Sequence, residues 1–277
     1  MFVLDTGNQR IQKLDPNGKF ITTWGSRGSG NGQFEYPHGI SLDSFKNVYV
    51  ADTRNNRIQK FDLNGTFITT WGTLGTGNGQ FNNPQCISVD SFDNMYVADA
   101  GNNRIQKFDS NGKFITTWGT SGIGKGQFMN PLGISVDGSG NMYVADAAHL
   151  AIGEPGNSRI QKFDSNGKFI TTWGFGTGEG QFEYPAGISV DPSYGNVYVV
   201  DLGNNRVQKF DTNGNLITTW GSRGSGNGQF FGPWGIFFNP LYGNNVYVAD
   251  TGNERIQEFD SNGKFIATWG TFGTGNG

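Results

Sequence analysis

The 277-residue chain holds a single cysteine, Cys86, and only two histidines, His38 and His149. A lone cysteine makes no intramolecular disulfide and no Cys-rich metal site, and two histidines fall short of a three-histidine zinc centre. Charge of neither sign accumulates: 20 basic and 23 acidic residues leave a net charge of −3, with no runs. The electrostatic footprint of a nucleic-acid or anionic-lipid binder is therefore missing. No apolar stretch approaches the ~18 residues that span a bilayer, and the opening MFVLDTGNQR has neither the basic end nor the apolar run of a signal peptide. A Gly-x-Ser-x-Gly nucleophile elbow is lacking. No ten-residue run escapes Gly, Asn, Asp or Pro, which argues against helices.

Glycine is abundant, at 45 residues with nine prolines, but the two together stay under the ~25% at which low-complexity disorder sets in. Seven Trp, nine Tyr and 23 Phe supply core material. The glycines therefore punctuate a folded chain, and they do so periodically. An Arg-Ile/Val-Gln triplet recurs at Arg10, Arg57, Arg104, Arg159, Arg206 and Arg255, and a Thr-Trp-Gly ending at Trp24, Trp71, Trp118, Trp173, Trp220 and Trp269, both with spacings of 47, 47, 55, 47 and 49. Within one unit, CISVD, MYVAD, RIQKF and KFITTW are short, rich in β-branched and aromatic residues, and bounded by turn formers, the pattern of strands. The third and fourth are joined by Asp-Ser-Asn-Gly, where Asn-Gly is expected to supply the positive φ angles of a tight hairpin.

Four strands in each of six units of ~47 residues match the blades of a β-propeller, whose periods run from ~40 to ~50. The expectation is an all-β, six-bladed β-propeller in a single domain over residues 1–277. Its blades fall near 1–25 (partial), 33–72, 80–119, 127–174, 181–221 and 229–270. The first strand of each unit, with small residues, suits the crowded innermost position, and the tryptophan the wide outer gap between blades.

The unit resembles the NHL repeat in Pro37-His38-Gly39-Ile40, Val48-Tyr49-Val50-Ala51-Asp52 and Asn56-Arg57-Ile58-Gln59, followed by a closing Trp-Gly. That resemblance implies a six-bladed propeller but no one activity, since similar propellers serve as RNA- or protein-binding ends of tripartite-motif ubiquitin ligases, as lyases and lactonase-like enzymes, and as adhesive cell-surface repeats. Met1 aligns with Val48 and Gly277 with Gly79, so the stretch 33–47 has no sixth counterpart. One blade is expected to have three strands, lacking its innermost one, and the chain to be a fragment of a longer propeller or gene product.

The most uniform positions read as structural. Asp52 and Arg57 recur five apart as Asp5/Arg10, Asp99/Arg104, Asp201/Arg206 and Asp250/Arg255, and as Asp146/Arg159 around an eight-residue insertion. An ion pair repeated in every blade holds strands together, whereas an active site needs one group made different from its neighbours. Links such as GTLGTGNGQF read as flexible crossovers, because no helix follows to hold a phosphate, and the Phe-Asp-x-Asn-Gly turns lack the further ligands of a calcium loop.

Function is expected where the repeats differ. Between the repeated Pro and Gly stand His38, Gln85, Leu132, Ala186 and Trp234; the insertion brings His149 and Glu154; and Arg27, Lys125 and Arg223 of the crossovers, with Arg54, add positive charge. Similar lyases place histidines around the channel, which makes His38 the sharpest single candidate. Trp234 reads equally as a binding anchor or a packed ring, and Cys86, in place of the usual Gly, as a buried filler. The leading reading is a binding scaffold without catalytic residues or cofactor, whose loop-rich face engages a protein, glycan or other ligand. Two others stay open: a metal-assisted lyase or lactonase with His38 and His149 at the channel mouth, and an RNA- or substrate-binding propeller of a tripartite-motif-like ligase, against which the near-neutral charge argues.

Overall fold

The computed structural model describes residues 1–147, 157–174, 178–241 and 243–276. The second run of a unit, as in Val48–Asp52, forms a strand packed on both faces and is nearly continuously apolar, whereas the fourth run exposes alternate residues such as Ile68 and Ile115. The strands fall into two compact units, Met1–Ser121 with Gly273–Gly277, and Gly122–Phe272.

The first unit holds three antiparallel sheets. One comprises β1 (Phe2–Asp5), β2 (Arg10–Leu14) and β3 (Phe20–Trp24). The next comprises β4 (Gly39–Leu42), β5 (Val48–Asp52), β6 (Arg57–Phe61) and β7 (Phe67–Trp71), and the third β8 (Pro84–Val89), β9 (Met95–Asp99), β10 (Arg104–Phe108) and β11 (Phe114–Trp118). The second unit repeats the four-stranded pattern three times: β12 (Pro131–Val136), β13 (Met142–Asp146), β14 (Arg159–Phe163) and β15 (Phe169–Trp173); β16 (Pro185–Val190), β17 (Val197–Asp201), β18 (Arg206–Phe210) and β19 (Leu216–Trp220); β20 (Pro233–Asn239), β21 (Asn245–Asp250), β22 (Arg255–Phe259) and β23 (Phe265–Trp269). In every sheet the strands lie side by side in chain order. The fold class is an all-β, six-bladed β-propeller, and the sheet that opens the chain has three strands, as expected.

Packing explains why each repeated residue recurs. Val48–Asp52 and Met95–Asp99 are buried along their whole length. Neighbouring first strands adjoin, β4 beside β8 in the first unit and β12 beside β16 beside β20 in the second. A Cβ added to Gly39 would stand 2.7 Å from the Cα of Cys86, and one on Gly187 2.5 Å from the carbonyl oxygen of Trp234. The Gly of the Pro-x-Gly motif is there because the next strand's backbone occupies its side-chain space. Farther out, Trp71 meets Tyr49 of its own sheet edge-on at 6.2 Å and Phe108 of the next at 6.4 Å, filling the gap where the sheets diverge.

Two details differ from expectation. In the hairpin of Asp62 to Thr66, Gly65 alone takes a positive φ, +89°, while Asn64 does not. The Asp62 carboxylate accepts the N–H groups of Asn64 and Thr66, both at 2.8 Å, and the register shifts between Lys60 and Phe61. Side-chain bonding and a bulge thus replace the turn with two positive φ angles. Helical geometry also occurs, as single 3₁₀ turns at Thr6–Asn8, Thr53–Asn55, Ala100–Asn102 and Thr251–Asn253, each following the repeated Asp.

Candidate functional site

The turn between second and third strands and the crossover that enters the same sheet meet at one end of each blade, joined by the repeated Asp/Arg pair. In the second sheet the Asp52 carboxylate, fully buried, accepts the backbone N–H of Glu35 at 2.8 Å on one oxygen. The other oxygen accepts Asn55 at 2.9 Å, Arg57 Nε at 2.8 Å and Gln59 at 3.0 Å. Arg57 then donates to the carbonyl groups of Ser29, Gly30 and Gln33. Asp99, Asp146, Asp201 and Asp250 accept equivalent side-chain donors. The pair therefore straps the crossover down as well as joining the second and third strands, and the crossover expected to be flexible is a hydrogen-bonded arch. Asp146 is pushed up, to about 6, because burial outweighs the pull of the Met129 N–H and of Arg159.

On the arch of the second sheet the structure brings several of the singled-out residues together. Arg54, exposed on its 3₁₀ turn, lays its guanidinium 3.8 Å from the ring centre of Tyr36, itself 38% exposed. Beside them the half-buried His38 bonds through Nδ1 to Gln85 Oε1 at 2.6 Å. An amide oxygen only accepts, so this bond assigns the imidazole proton to Nδ1. Burial, reinforced by the charge of Arg54 and opposed by the Gln85 bond, holds the His38 pKa below its ordinary value. Arg27 pairs with Glu35 at 3.1 Å with its own side chain 74% exposed, an arrangement that contributes little stability.

The remaining candidates are distributed differently. Gln85 is buried, and Leu132 and Ala186 lie with Ala147 in an apolar cluster against which Tyr184, Leu202 and the half-buried Trp234 pack. These side chains join neighbouring sheets of the second unit. Lys125 and Arg223 are exposed, 5.7 Å and 5.3 Å from the ring centres of Phe169 and Phe231. His149 and Glu154 lie outside the described residues. Cys86 is partly rather than fully buried. Among the described residues no three His, Cys, Asp or Glu side chains gather as a metal-binding group, and no helix is long and apolar enough to cross a membrane.

Sequence reasoning passed over two features. Tyr36 supplies the ring beneath Arg54, and its signal was the Glu-Tyr-Pro triplet repeated at Tyr184. Phe45 and Phe92, 78% and 82% exposed, cap turns at the opposite end of their sheets, where the Ser44 N–H and hydroxyl both donate to Asp93 at 2.8 Å.

Comparison with known proteins bears on the fold. The NHL repeat profile matches residues 34–61, 81–108 and 182–210. Comparison with curated proteins by sequence returns no match. Among solved structures, the chain is similar to one from a nidogen/laminin complex, at 19% identity over 97% of this chain and 92% of that one, with a TM-score of 0.71. It is also similar to a catalytically inactive virginiamycin B lyase from Staphylococcus aureus with quinupristin, at 17% identity over 94% and 77% and a TM-score of 0.64. A streptogramin B lyase shares 18% identity over 86% and 70%, with a TM-score of 0.62. At these identities the likeness concerns architecture, and the same architecture carries both recognition and catalysis. The profile matches and the repeated antiparallel sheets together support an NHL-repeat β-propeller.

Proposed function

We propose that the chain is a non-enzymatic binding scaffold that engages a protein ligand through the end of the blades where crossovers and second-to-third-strand turns meet. The observation that carries this reading is Arg54 stacked on Tyr36, both exposed, on an arch held by the Asp52 and Arg57 bonds. Arg and Tyr are the side chains most often found as anchors of protein interfaces, and a ring that holds the guanidinium in place lowers the entropy lost on binding. The similar chain from a nidogen/laminin complex supports the same choice. The lyase reading finds less support: Asp146, pushed up by burial, is fully buried and already accepts Met129, Asn157, Arg159 and Gln161, so it faces inward rather than toward a substrate.

The test is selection of displayed random peptides on the intact chain, followed by affinity measurement of the selected peptides on single variants. Arg54→Ala and Tyr36→Ala are each expected to weaken binding at least about tenfold, equivalent to ~1.4 kcal/mol, and Lys125→Ala to leave it unchanged. Peptides indifferent to both Arg54→Ala and Tyr36→Ala would count against this surface. Disappearance of intact quinupristin on incubation with the chain would replace the binding reading with the lyase one.

A further inference from the structure

The end of each sheet away from the crossovers carries the turn between first and second strands. In the first unit two such turns are clasped across the seam between sheets, where the Ser44 N–H and hydroxyl both donate to the Asp93 carboxylate at 2.8 Å. Lys60 lies in the same seam, with Nζ 3.5 Å from Asp43 and 3.4 Å from the carbonyl of Ser110 in the facing hairpin. The matching seam in the second unit lies between the turns 137–141 and 191–196, and there both halves of the clasp are glycine. Gly138 follows Asp137 as Ser44 follows Asp43, and Gly195 precedes Asn196 as Asp93 precedes Asn94, with the same left-handed backbone, φ +70° against +63°. The 191–196 turn is also one residue longer than its counterpart 90–94.

Without the clasp, this seam holds a cleft of about 280 Å³ whose lining includes Asp137, Asn141, Lys162, Ser193, Tyr194 and Thr212. Lys162 keeps its hold on the facing hairpin, donating to the Thr212 carbonyl at 3.1 Å, with no carboxylate in ion-pair range among the described residues. The Asp137 carboxylate is occupied by its own turn and strand, accepting the N–H groups of Ser139 and Asn141, the Asn141 amide and the Tyr143 hydroxyl. Its charge is present but its lone pairs are committed, whereas an ammonium carries three donors and Lys162 uses one on Thr212. Tyr194 stands at the rim, 76% exposed, on a turn fixed by the N–H groups of Ser193 and Tyr194 on the Asp191 carboxylate.

We propose that this cleft binds a single sugar ring, with the face of Tyr194 against the C–H groups of the sugar and Lys162 donating to its hydroxyls. The cleft is slightly smaller than the ~300–1,000 Å³ sites of drug-sized ligands, which suits one ring and not a chain. A small anion is disfavoured by the charge of Asp137 in the same lining. A sugar hydroxyl donates as well as accepts, so it takes up the spare Lys162 donors without setting a second negative charge beside Asp137. An exposed tyrosine adds a rigid apolar face at small entropic cost. The clasped seam of the first unit has neither the spare ammonium donors nor the tyrosine, and serves as the internal control. The residues of the Arg54 surface take no part, so neither proposal depends on the other.

The experiment titrates the intact chain with the methyl glycosides of glucose, galactose, mannose and N-acetylglucosamine, one at a time, and follows the amide signals by NMR. At least one glycoside is expected to move the signals of Ser139, Ser193, Tyr194 and Gly195 saturably, while those of Ser44 and Phe45 stay in place. Tyr194→Ala and Lys162→Met should each weaken that binding at least about tenfold, and Tyr194→Phe, which keeps the ring, should retain it. Tyr194 is exposed, so Tyr194→Ala is expected to melt at the parent's temperature and to report on binding alone. Failure of every glycoside to move these signals, equal affinity in Tyr194→Ala, or the same shifts produced by sodium acetate alone would each overturn the proposal.

Discussion

His38 shows how a single side chain is tuned by its setting. Burial and the nearby Arg54 hold its pKa below the ordinary 6.5, against the opposing bond from Gln85. The unfolded chain then binds this proton more readily than the fold does. Stability from the neutral imidazole is complete above pH ~6.5 and is lost as pH falls toward the depressed folded value. Melting temperatures measured from pH 7.5 to 5 should fall in that window, and the fall should be shallower in His38→Gln than in the parent; equal slopes would contradict the assignment. At this scale His38 and Arg54 were legible because they break the repeat. Tyr36 was not, since an exposed tyrosine gains meaning only from a guanidinium eighteen residues later in the chain. The buried packing of Leu132 and Ala186 was hidden for a related reason: small and aliphatic side chains carry no sign of whether they line a surface or a seam.

Among the elements, the hairpin between third and fourth strands and the crossover to the next sheet separate two roles of glycine. Gly65 has φ +89°, and a Cβ there would stand 2.5 Å from the Trp24 ring of the preceding sheet; Gly79 has φ +75° with nothing within 4 Å. Gly79→Ala bears only the left-handed strain, ~1 kcal/mol. Gly65→Ala adds displacement of a packed ring, for a total of ~2–4 kcal/mol. Urea denaturation of the two variants should show that order, and a reversal would remove the packing role from Gly65. Strand existence was legible from the run of β-formers and breakers: Met95–Asp99 and Arg104–Phe108 fall where expected. The first strand begins two residues earlier than expected, at Pro84, because Pro84 pairs opposite Asp99 without needing an N–H. The strapped crossovers were illegible because Arg57 and Gln59 bind main-chain carbonyls, groups every residue possesses.

Across the whole chain, residues far apart in sequence meet inside one unit. Asn8 donates to Gly273 at 3.1 Å, and Arg10 holds Gly275 and Asn276. Arg10→Ala and deletion of residues 273–277 should each lower stability by ~1 kcal/mol. Because both remove the contacts of Arg10 with Gly275 and Asn276, the double variant should lose less than the sum of the two single losses. A urea titration in which the two losses simply add would show that the tail and Arg10 act independently. Repetition made the overall architecture readable from residue spacings alone, since each unit solves the same packing problem with the same residues.

The tryptophans give this architecture an optical consequence. Trp24, Trp71, Trp118, Trp173 and Trp220 each bury an indole N–H with no acceptor, one in each of five sheets. An indole shielded from mobile dipoles emits at shorter wavelength than one in water, so every sheet but one carries its own near-identical fluorophore. The emission spectrum therefore works as a counter: a chain that opens sheet by sheet shifts to the red in steps, and one that opens all at once shifts in a single movement.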